Sequence, residues 1–386
     1  MTWSDEPRPD EPCVLIAAVS GRALAAAARR AGYAPLVADL FGDCDTRALA
    51  ARAERVPGSL GRGPDGPALR AALARLAAGR APVGLVYGSG FERRPALLRA
   101  LARHHPLLGN APETVARLKD PFAFAELCRA CAVPHPPVAL EAGPPETGEG
   151  AWLEKRAGGA GGSHVRPARR RRVRPPRYLQ RKAAGRPVSA LFLGDGAASR
   201  ILGFSEQWAA PAPGEPYRYG GAAFPAATAP HTAALAAAVE RLSHAAGLVG
   251  LNSADFLLRE DGFDLLEINP RPGATLDLFA DTPALFAWHL EACRGRLPAP
   301  APAPAPASTQ APPGAAAASV VYAPRDFVLA ADFSWPDWAA DRQPPGPVAG
   351  GAPFCTVLAR APDVLDAREQ LQRRMVQILA LTEARR

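Results

Sequence analysis

Residues 266–273 (LEINPRPG) decide the fold of this chain, together with Asp255 upstream. Glu267 and Asn269 stand two apart in a run that is typical of a β-strand, so both side chains point to one face. Asp255 adds a second carboxylate. Carboxylate and amide oxygens suit Mg²⁺ held by a nucleotide phosphate, so these three residues are a candidate metal site.

The segments Ser253–Arg259 and Phe263–Asn269 predict a β-hairpin closed by the three-residue loop 260–262. In that register Asp255 lies opposite Glu267. The other predicted pairs are Leu257 with Leu265 and Arg259 with Phe263. Two carboxylates directly opposite each other repel unless a cation lies between them. The register therefore supports the metal site, although a two-residue turn would break it.

Length and composition indicate a soluble protein of several domains. A chain of 386 residues is too long for one ordinary core, so we expect roughly two to four domains. The sequence is 48% apolar and 21% charged, and no segment is long and apolar enough to span a membrane. The N-terminus is acidic and Pro-rich, unlike a signal peptide. Six scattered cysteines do not form a disulfide framework, so we expect a reducing, cytoplasmic location.

The net charge of +8 is concentrated in one place. The run Arg166–Arg177 (RPARRRRVRPPR) carries seven arginines, so the rest of the chain is nearly neutral and overall charge predicts no nucleic-acid partner. We interpret the run as a solvated insertion, with a site for an anionic partner as the alternative. Lysine occurs only as Lys119, Lys155 and Lys182. Because an ammonium group is a compact point charge that can sit against phosphate, lysine retained in an arginine-rich chain is a candidate phosphate contact.

The first part of the chain predicts a parallel α/β layer. The predicted elements are strands at Cys13–Val19 and Ala34–Leu40 with a helix at Ala23–Ala31 between them. A further strand at Val83–Tyr87 ends in residues 88–92 (GSGFE). Ligands of open α/β sheets bind beyond the carboxyl ends of the strands, so Ser89 and Glu92 are candidate substrate contacts. A glycine-rich turn with an exposed glutamate is the alternative.

The rest of the chain divides at changes of composition. A helix–turn–helix over Pro112–Cys131 has Lys119 at its turn, and the glycine-rich sequence GGAGGS follows a strand that begins at Trp152. Pro298–Pro313 is a Pro-Ala tract, which predicts an extended spacer. The predicted C-terminal elements are strands at Ser319–Ala323 and Pro353–Ala359 and a helix at Asp363–Leu381. We therefore predict an N-terminal α/β domain over 1–110, a second domain over 111–297 with a clamping half at about 120–195, a linker over 298–317 and a small α+β domain over 318–386.

The order of these features resembles the ATP-grasp superfamily, which includes D-alanine–D-alanine ligase and biotin carboxylase. That order is Lys119, Lys155 with the glycine-rich loop, the strand of Gln180, Asp255, and then Glu267-x-Asn269. The resemblance covers about residues 1–295 and implies an ATP-grasp fold with α/β and α+β parts, preceded by an N-terminal α/β domain. Its most specific part is the segment E-I-N-P-R-P with the upstream aspartate.

The resemblance implies that Lys119 and Lys155 contact ATP phosphates and that a glycine loop cradles them. The loop residues so implied are Gly158, Gly159, Gly161 and Gly162. The residues that fall where the family's adenine-contacting linker runs are Gln180, Arg181 and Lys182. Many members have one acidic residue at the first of these positions and another a few residues on, for the ribose. Gln180 and Pro187 stand there instead, which puts hydroxyl recognition of the ribose in doubt.

Asp255, Glu267 and Asn269 match the family's magnesium ligands, with Mn²⁺ as an alternative metal. Arg271 matches an arginine near the transferring phosphate and the acyl group, and with Lys155 it is the implied catalytic pair. The implied chemistry is phosphoryl transfer from ATP to a substrate carboxylate, followed by attack of an amine on the acyl phosphate. The products are an amide, ADP and phosphate.

We therefore expect an ATP-dependent carboxylate–amine ligase acting on small molecules. The pattern also resembles carboligase-like ATP-grasp proteins of one-carbon cofactor pathways, which implies glutamate or another amino acid as one substrate. A subunit of a biotin-dependent type of carboxylase is the first alternative, favoured by the C-terminal appendage. A nucleic-acid-associated binder acting through Arg166–Arg177 is the second, and the lack of interleaved aromatic residues argues against it. Dimers are common in the superfamily, so a homodimer is one expectation.

Three further features have ordinary structural explanations. Cys128-x-x-Cys131 lacks a second ligand pair at zinc spacing, so we expect two part-buried thiols. His164, beside the glycine loop, is interpreted as a solvated loop residue, with a phosphate contact as the alternative. Trp335 and Trp338 are expected to pack locally.

Overall fold

The computed structural model describes residues 11–143, 151–299 and 314–383. Its helices are α1 Arg22–Arg30, α2 Cys44–Leu49, α3 Gly66–Ala77, α4 Pro95–Ala102, α5 Pro112–Lys119, α6 Pro121–Ala130, α7 Thr232–Ala246, α8 Leu285–Cys293 and α9 Val364–Glu383, with a 3₁₀ helix at Ala274–Phe279. Its strands are β1 Cys13–Ala17, β2 Ala34–Asp39, β3 Arg52–Arg55, β4 Gly58–Ser59, β5 Gly63–Pro64, β6 Leu85–Tyr87, β7 Val138–Ala139, β8 Trp152–Arg156, β9 Arg166–Pro167, β10 Arg177–Arg181, β11 Arg186–Asp195, β12 Ser199–Ala209, β13 Tyr219–Phe224, β14 Val249–Leu258, β15 Phe263–Asn269, β16 Ala315–Tyr322, β17 Phe327–Leu329, β18 Ala339–Ala340, β19 Gly346–Val348 and β20 Pro353–Ala361. Within these ranges, no helix has the length and hydropathy needed to cross a bilayer.

The N-terminal part is a parallel sheet with the strand order β3-β2-β1-β6. Every residue of β1, β2 and β6 is buried, which explains why their sequences are short and mainly apolar. The predicted β-α-β unit is confirmed, and its elements end within two residues of the predicted positions. Because parallel strands bring their carboxyl ends to one edge, residues 88–92 emerge at that edge after β6.

Two antiparallel sheets follow. The smaller one has the order β7-β10-β8-β9, and its residues fall within the half predicted to clamp a ligand. The larger one has eight strands in the order β15-β14-β11-β12-β13-β16-β20-β18. Side chains of β11 pack into hydrophobic cores on both faces of this sheet. Val188 and Phe192 belong to the cluster with α7, whereas Leu191 and Leu193 belong to the cluster with α8.

The C-terminal residues extend the large sheet, because β16 pairs with β13 and β20 pairs with β16. Strand β16 begins at Ala315, inside the predicted linker 298–317 and four residues before the predicted start at Ser319. The Pro-Ala residues 300–313 lie outside the described residues. Helix α9 begins one residue after the predicted start and packs on β16 and β20.

The hairpin of β14 and β15 confirms the pairing of Asp255 with Glu267 but corrects the register around it. The pairs Leu257–Leu265 and Arg259–Phe263 are wrong by one residue; the observed pairs are Phe256–Leu265 and Leu258–Phe263. A β-bulge next to Asp255 takes up the difference, because two steps on β15 match one step on β14 there. The loop is therefore four residues long, and the two carboxylates still meet.

The turn between α5 and α6 fixes the position of Lys119, the last residue of α5. Asp120 caps α6, and its carboxylate accepts hydrogen bonds from the backbone N–H groups of Phe122 at 3.0 Å and Ala123 at 2.9 Å. Pro121 at the first helical position has no N–H group that needs a partner. The predicted helix–turn–helix is confirmed, and it presents a buried Lys119 to the large sheet.

We expect Asp120→Ala to lower the free energy of unfolding by about 1 kcal/mol, because α6 loses the acceptor for two of its first N–H groups. Asp120→Asn, whose amide oxygen still accepts a hydrogen bond, should cost clearly less. Denaturant titration of both variants measures the difference. An unchanged unfolding midpoint in Asp120→Ala would contradict the capping role.

Candidate active site

A large cavity of about 1360 Å³ lies between the sheets. Pockets for a single small ligand usually have about 300–1,000 Å³, so this cavity has room for more than one molecule. All the site residues predicted from the sequence border it: Lys119, Lys155, Gly158, Gly159, Gly161, Gly162, Gln180, Arg181, Lys182, Asp255, Glu267, Asn269 and Arg271. The fold therefore brings together side chains that are up to 152 positions apart, the separation of Lys119 and Arg271 in the sequence.

Lys119 is the centre of a hydrogen-bonded network in this cavity. Its Nζ donates to Glu267 Oε2 at 2.8 Å and to Asn269 Oδ1 at 2.7 Å. Asn269 Nδ2 donates in turn to Asp255 Oδ2 at 3.0 Å. These bonds use two of the three N–H donors of the ammonium group. The network joins α5 to the hairpin of β14 and β15.

The two carboxylates of the hairpin differ in protonation behaviour. Burial, and then the neighbouring Glu267 carboxylate, raise the pKa of Asp255 above its usual range. Burial also acts to raise the pKa of Glu267, but the adjoining Lys119 ammonium outweighs it and holds that pKa well below its usual range. Asp255 is held by Ser189 Oγ, which donates at 2.6 Å, and by Gln207 Nε2, which donates at 3.4 Å. These donors offset part of the cost of burying its charge.

Asp255, Glu267 and Asn269 fit a hard divalent cation. Their donors are two carboxylates and an amide oxygen, which is the set that Mg²⁺ takes together with phosphate oxygens. A dication also relieves the repulsion between two carboxylates that face each other. Across the described residues no group of three or more His, Cys, Asp and Glu is placed to hold a metal, so the asparagine is an essential part of this candidate site.

Arg271 lies beside the Lys119 network and pairs with a residue of the N-terminal part. Its Nε donates to Glu92 Oε1 at 2.7 Å, and Nη2 lies 2.7 Å from the same oxygen. Glu92 Oε2 accepts a hydrogen bond from the backbone N–H of Gly90 at 2.7 Å. The side chains are 9% and 4% exposed, so the predicted alternative of an exposed glutamate is wrong. Burial acts to raise the pKa of Glu92, but Arg271 and Lys119 bring it below its usual range.

The glycine loop after β8 is closed over the cavity. A Cβ atom on Gly158 would lie 2.6 Å from the carbonyl oxygen of Glu92, and its φ is +66°. A Cβ atom on Gly162 would lie 1.8 Å from the carbonyl oxygen of Tyr217, and its φ is +74°. Glycine is required at both positions, because any side chain would strain the backbone at these positive φ angles and collide with the backbone of a neighbouring segment.

Lys155 and His164 flank this loop. Burial lowers the pKa of Lys155, although Glu267 acts to raise it. Burial, together with the neighbouring cations, lowers the pKa of His164 to about 4. A Cβ atom on Gly159 would lie 2.4 Å from the His164 ring, so the ring packs directly against the loop. The expected solvated histidine is wrong: His164 is a packed side chain that is neutral at pH 7.

The predicted linker residues line another side of the cavity. Gln180 is buried, and its Nε2 lies 3.3 Å from Nε2 of His135. Burial lowers the pKa of His135, so this ring is neutral as well. The Arg181 guanidinium lies 5.5 Å from the centre of the Trp152 ring, and Lys182 is exposed. Sequence reasoning missed His135, because it stands in a loop without a motif around it.

Sequence reasoning also missed a second buried ion network at the edge of the cavity. Arg22 Nη1 and Nη2 donate to Asp277 at 2.8 and 2.5 Å, and Nε donates to Asp341 Oδ1 at 2.9 Å. Asp341 also accepts a hydrogen bond from Ser20 Oγ at 3.0 Å. The partners of Arg22 are 255 and 319 residues away in sequence, so no local pattern indicates them.

Of the two cysteines expected to be part-buried, Cys131 is half-buried and Cys128 is fully buried, and the expected local packing of Trp335 and Trp338 is confirmed. Cys128 and Cys131 are free thiols, and burial raises the pKa of Cys128 to about 12. Trp335 packs edge-on against Phe333 with 4.8 Å between ring centres. The arginine run is exposed along residues 169–172, as expected for a solvated insertion.

Comparison with known proteins identifies the class. Residues 119–275 match the family model of the ATP-grasp domain. The structure is similar to biotin carboxylase from Campylobacter jejuni, with a TM-score of 0.67 and 14% identity over 94% of this chain and 90% of that one. It is also similar to the biotin carboxylase domain of 2-oxoglutarate carboxylase from Hydrogenobacter thermophilus, a dimer in complex with MgADP and bicarbonate, with a TM-score of 0.68 and 13% identity over 94% and 88% of the two chains.

A third similar structure is pyruvate carboxylase from Rhizobium etli, with a TM-score of 0.69 and 17% identity over 94% of this chain and 37% of that one. No curated protein matches the sequence. The chain therefore contains an ATP-grasp domain over residues 119–275 and has the ATP-grasp fold, as the order of its motifs predicts.

We expect Glu92→Gln to lower the free energy of unfolding by about 3 kcal/mol, because it leaves Arg271 as an unpaired buried cation. Glu54→Gln is the matched control, since Glu54 pairs with the exposed Arg75 of the same part of the chain and should matter far less. The double variant Glu92→Gln/Arg271→Met should cost less than the sum of its single variants. Additive costs would show that the pair does not interact.

The cost of Glu92→Gln should also depend on pH. Arg271 lowers the pKa of Glu92 in the folded state, so the ionised carboxylate contributes stability that is fully present above the ordinary value of 4.5. That contribution is lost as the pH falls through the lower pKa of the folded state. Unfolding curves of both proteins from pH 7 downwards should converge below pH 4.5; a constant difference would contradict the ion pair.

Proposed function

We propose that the protein is an ATP-dependent ligase that joins a carboxylate to an amine through an acyl phosphate, with ADP and phosphate as the other products. The observation that carries this proposal is the network of Lys119, Glu267 and Asn269, with Arg271 beside it, in a cavity closed by a glycine loop. The site therefore combines cations that can bind phosphate oxygens with the acidic pair Asp255 and Glu267, which can bind a metal.

In this proposal Lys119 and Lys155 bind and orient the phosphates of ATP. Lys119 has one N–H donor beyond the two that it gives to Glu267 and Asn269, and Lys155 lies on β8, the strand that leads into the glycine loop. The backbone N–H groups of Gly158, Gly159, Gly161 and Gly162 cradle the phosphates, since glycine permits a close approach. Asp255, Glu267 and Asn269 would hold Mg²⁺ or Mn²⁺, which supplies positive charge next to the transferring phosphoryl group.

The adenine end of ATP is assigned to the side of the cavity that carries Gln180, Arg181 and Lys182. Gln180 is buried next to the neutral His135 ring, so this wall offers uncharged hydrogen-bonding groups to a base. Pro187 also lines the cavity and has no side-chain hydrogen-bonding group. The proposal therefore includes no carboxylate for the ribose hydroxyls at these positions.

The proposed reaction has two steps. A carboxylate oxygen of the first substrate attacks the γ-phosphorus of ATP, the bond to the β,γ-bridging oxygen breaks, and ADP leaves. The amine of the second substrate then attacks the carbonyl carbon, loses a proton, and displaces phosphate. Arg271 is held by Glu92 through Nε and Nη2, and this fixed cation stabilises negative charge on the acyl group in both steps.

We propose small-molecule substrates, with glutamate or another amino acid as one of them and a pathway of one-carbon cofactor biosynthesis as a setting. The cavity volume supports a second substrate beside the nucleotide. The cysteines of the described residues are all free thiols, which supports a reducing, cytoplasmic compartment. A homodimer is part of the proposal by analogy with the superfamily.

A biotin-dependent type of carboxylase subunit is the second candidate function. It is favoured by the similarity to biotin carboxylase domains, which extends over 94% of this chain and so includes the C-terminal strands. The two functions differ in acceptor, since a carboxylase takes bicarbonate and a biotinyl group where a ligase takes an organic carboxylate and an amine.

We expect ADP release from MgATP to require one specific pair of carboxylate and amine, and to fall at least about 100-fold in Glu267→Gln, because a candidate metal ligand loses its charge. Glu291→Gln is the matched control, since Glu291 pairs with Arg294 and Arg296 on the surface. Phosphate should carry ¹⁸O from a labelled carboxylate if an acyl phosphate forms. If ADP release requires bicarbonate and biotin instead, the carboxylase function replaces the ligase function.

A further inference from the structure

Three arginines from separate elements gather at the cavity beside the glycine loop. Arg62 is in the loop between β4 and β5, Arg93 follows β6, and Arg156 ends β8. All three border the cavity, and Arg62 and Arg156 are exposed. Among the described residues no carboxylate lies within 4.0 Å of any of these guanidinium groups. None of the three belongs to the Lys119 network or to the Arg166–Arg177 run.

The position of these arginines is fixed by a small hairpin. A Cβ atom on Gly63 would lie 1.9 Å from the carbonyl oxygen of Gly90, so only glycine lets β5 lie on the loop that follows β6. Arg93 Nη1 donates to the carbonyl oxygen of Gly61. The hairpin therefore holds Arg62 over the loop that carries Arg93, and the glycine loop packs on Arg93 from the other side, through Gly158.

Like charges held together in this way need a reason. Burial, and then the neighbouring Arg156 and Arg62, lower the pKa of Arg93, as expected where its guanidinium lies close to two other cations. A protein that gathers unpaired guanidinium groups at a cavity offers them to an anion, because Arg binds phosphate and carboxylate groups through two parallel hydrogen bonds. A solvated charged surface would not place them on three converging elements.

Two of the three arginines come from a different wall of the cavity from the proposed nucleotide contacts, and Arg156 stands where the two walls meet, at the end of β8. Arg62 and Arg93 come from the N-terminal part, which supplies Glu92 to Arg271, whereas the nucleotide contacts come from α5, β8, β10 and the hairpin of β14 and β15. Because Arg62 and Arg93 share their part of the chain with Glu92, the partner of Arg271, we assign the anion to the molecule that meets Arg271 rather than to the adenine nucleotide.

We propose that Arg62, Arg93 and Arg156 form a subsite for an anionic group of the second substrate, either a phosphate or a cluster of carboxylates, at a distance from the reacting atoms. The proposal rests on the ligase function, because it assigns the anion to the acceptor of that reaction. It narrows the substrate class to molecules that carry at least one phosphate or several carboxylates.

The test measures binding of two probes, inorganic phosphate and tri-glutamate, to the full chain saturated with Mg²⁺ and the non-hydrolysable nucleotide AMP-PNP. The test variant is Arg62→Gln/Arg156→Gln, which spares Arg93 because its bond to Gly61 helps to hold the hairpin. The control is Arg70→Gln/Arg103→Gln, which removes the same charge from two exposed positions of the N-terminal part that do not line the cavity.

We expect saturable binding of one probe, weakened at least about tenfold in Arg62→Gln/Arg156→Gln and unchanged in the control, because two charge-assisted contacts are lost. Binding of phosphate alone indicates a phosphorylated acceptor, and binding of tri-glutamate alone indicates a polycarboxylate.

The proposal is overturned by the absence of saturable binding, by equal weakening in the control, or by a loss of AMP-PNP affinity in the test variant, since the arginines would then serve the nucleotide. If the wild type does not bind AMP-PNP, the ligase function fails, and the same titrations without nucleotide still decide whether the anion subsite exists.

Discussion

The structure depends on how two facing carboxylates at the cavity are kept side by side. Asp255 and Glu267 pair across a hairpin, and their repulsion would destabilise it without a facing cation. Lys119 supplies that charge from another element, at 2.8 Å from Glu267 and 2.7 Å from Asn269. The position of Lys119 depends in turn on the helix cap formed by Asp120. The lysine proposed to contact phosphate thus also has a structural role, since two of its three donors hold α5 to the hairpin.

The loop after β6 connects the N-terminal part to this centre. Glu92 holds Arg271, the carbonyl oxygen of Glu92 packs on Gly158 of the glycine loop, and Arg93 borders the cavity. One short segment therefore touches the proposed acyl-binding arginine, the proposed phosphate loop and the proposed anion subsite. A substrate that displaced this segment would also displace Arg271, because the buried pair of Glu92 and Arg271 tolerates little movement.

The sequence was sufficient for the ATP-grasp fold and for part of the cavity, since Glu267, Asn269 and Arg271 are close in sequence and lie on one hairpin strand or just after it. It could not reveal the bulge next to Asp255, because the alternation of side chains along a strand does not show where an extra residue is inserted. It was also wrong about His164, whose burial comes from the fold of the glycine loop around it. Contacts between residues hundreds of positions apart, such as Arg22 with Asp341, leave no local signal.

The central claim is that Asp255, Glu267 and Asn269 hold a metal ion together with a nucleotide. The most direct test is the water-proton relaxation enhancement of Mn²⁺–AMP-PNP on titration with the protein. The account predicts one Mn²⁺ per chain, with affinity weakened at least about tenfold in Glu267→Gln and unchanged in the surface control Glu291→Gln. Equal enhancement in Glu267→Gln and wild type would contradict the account, because the ion would then be held elsewhere.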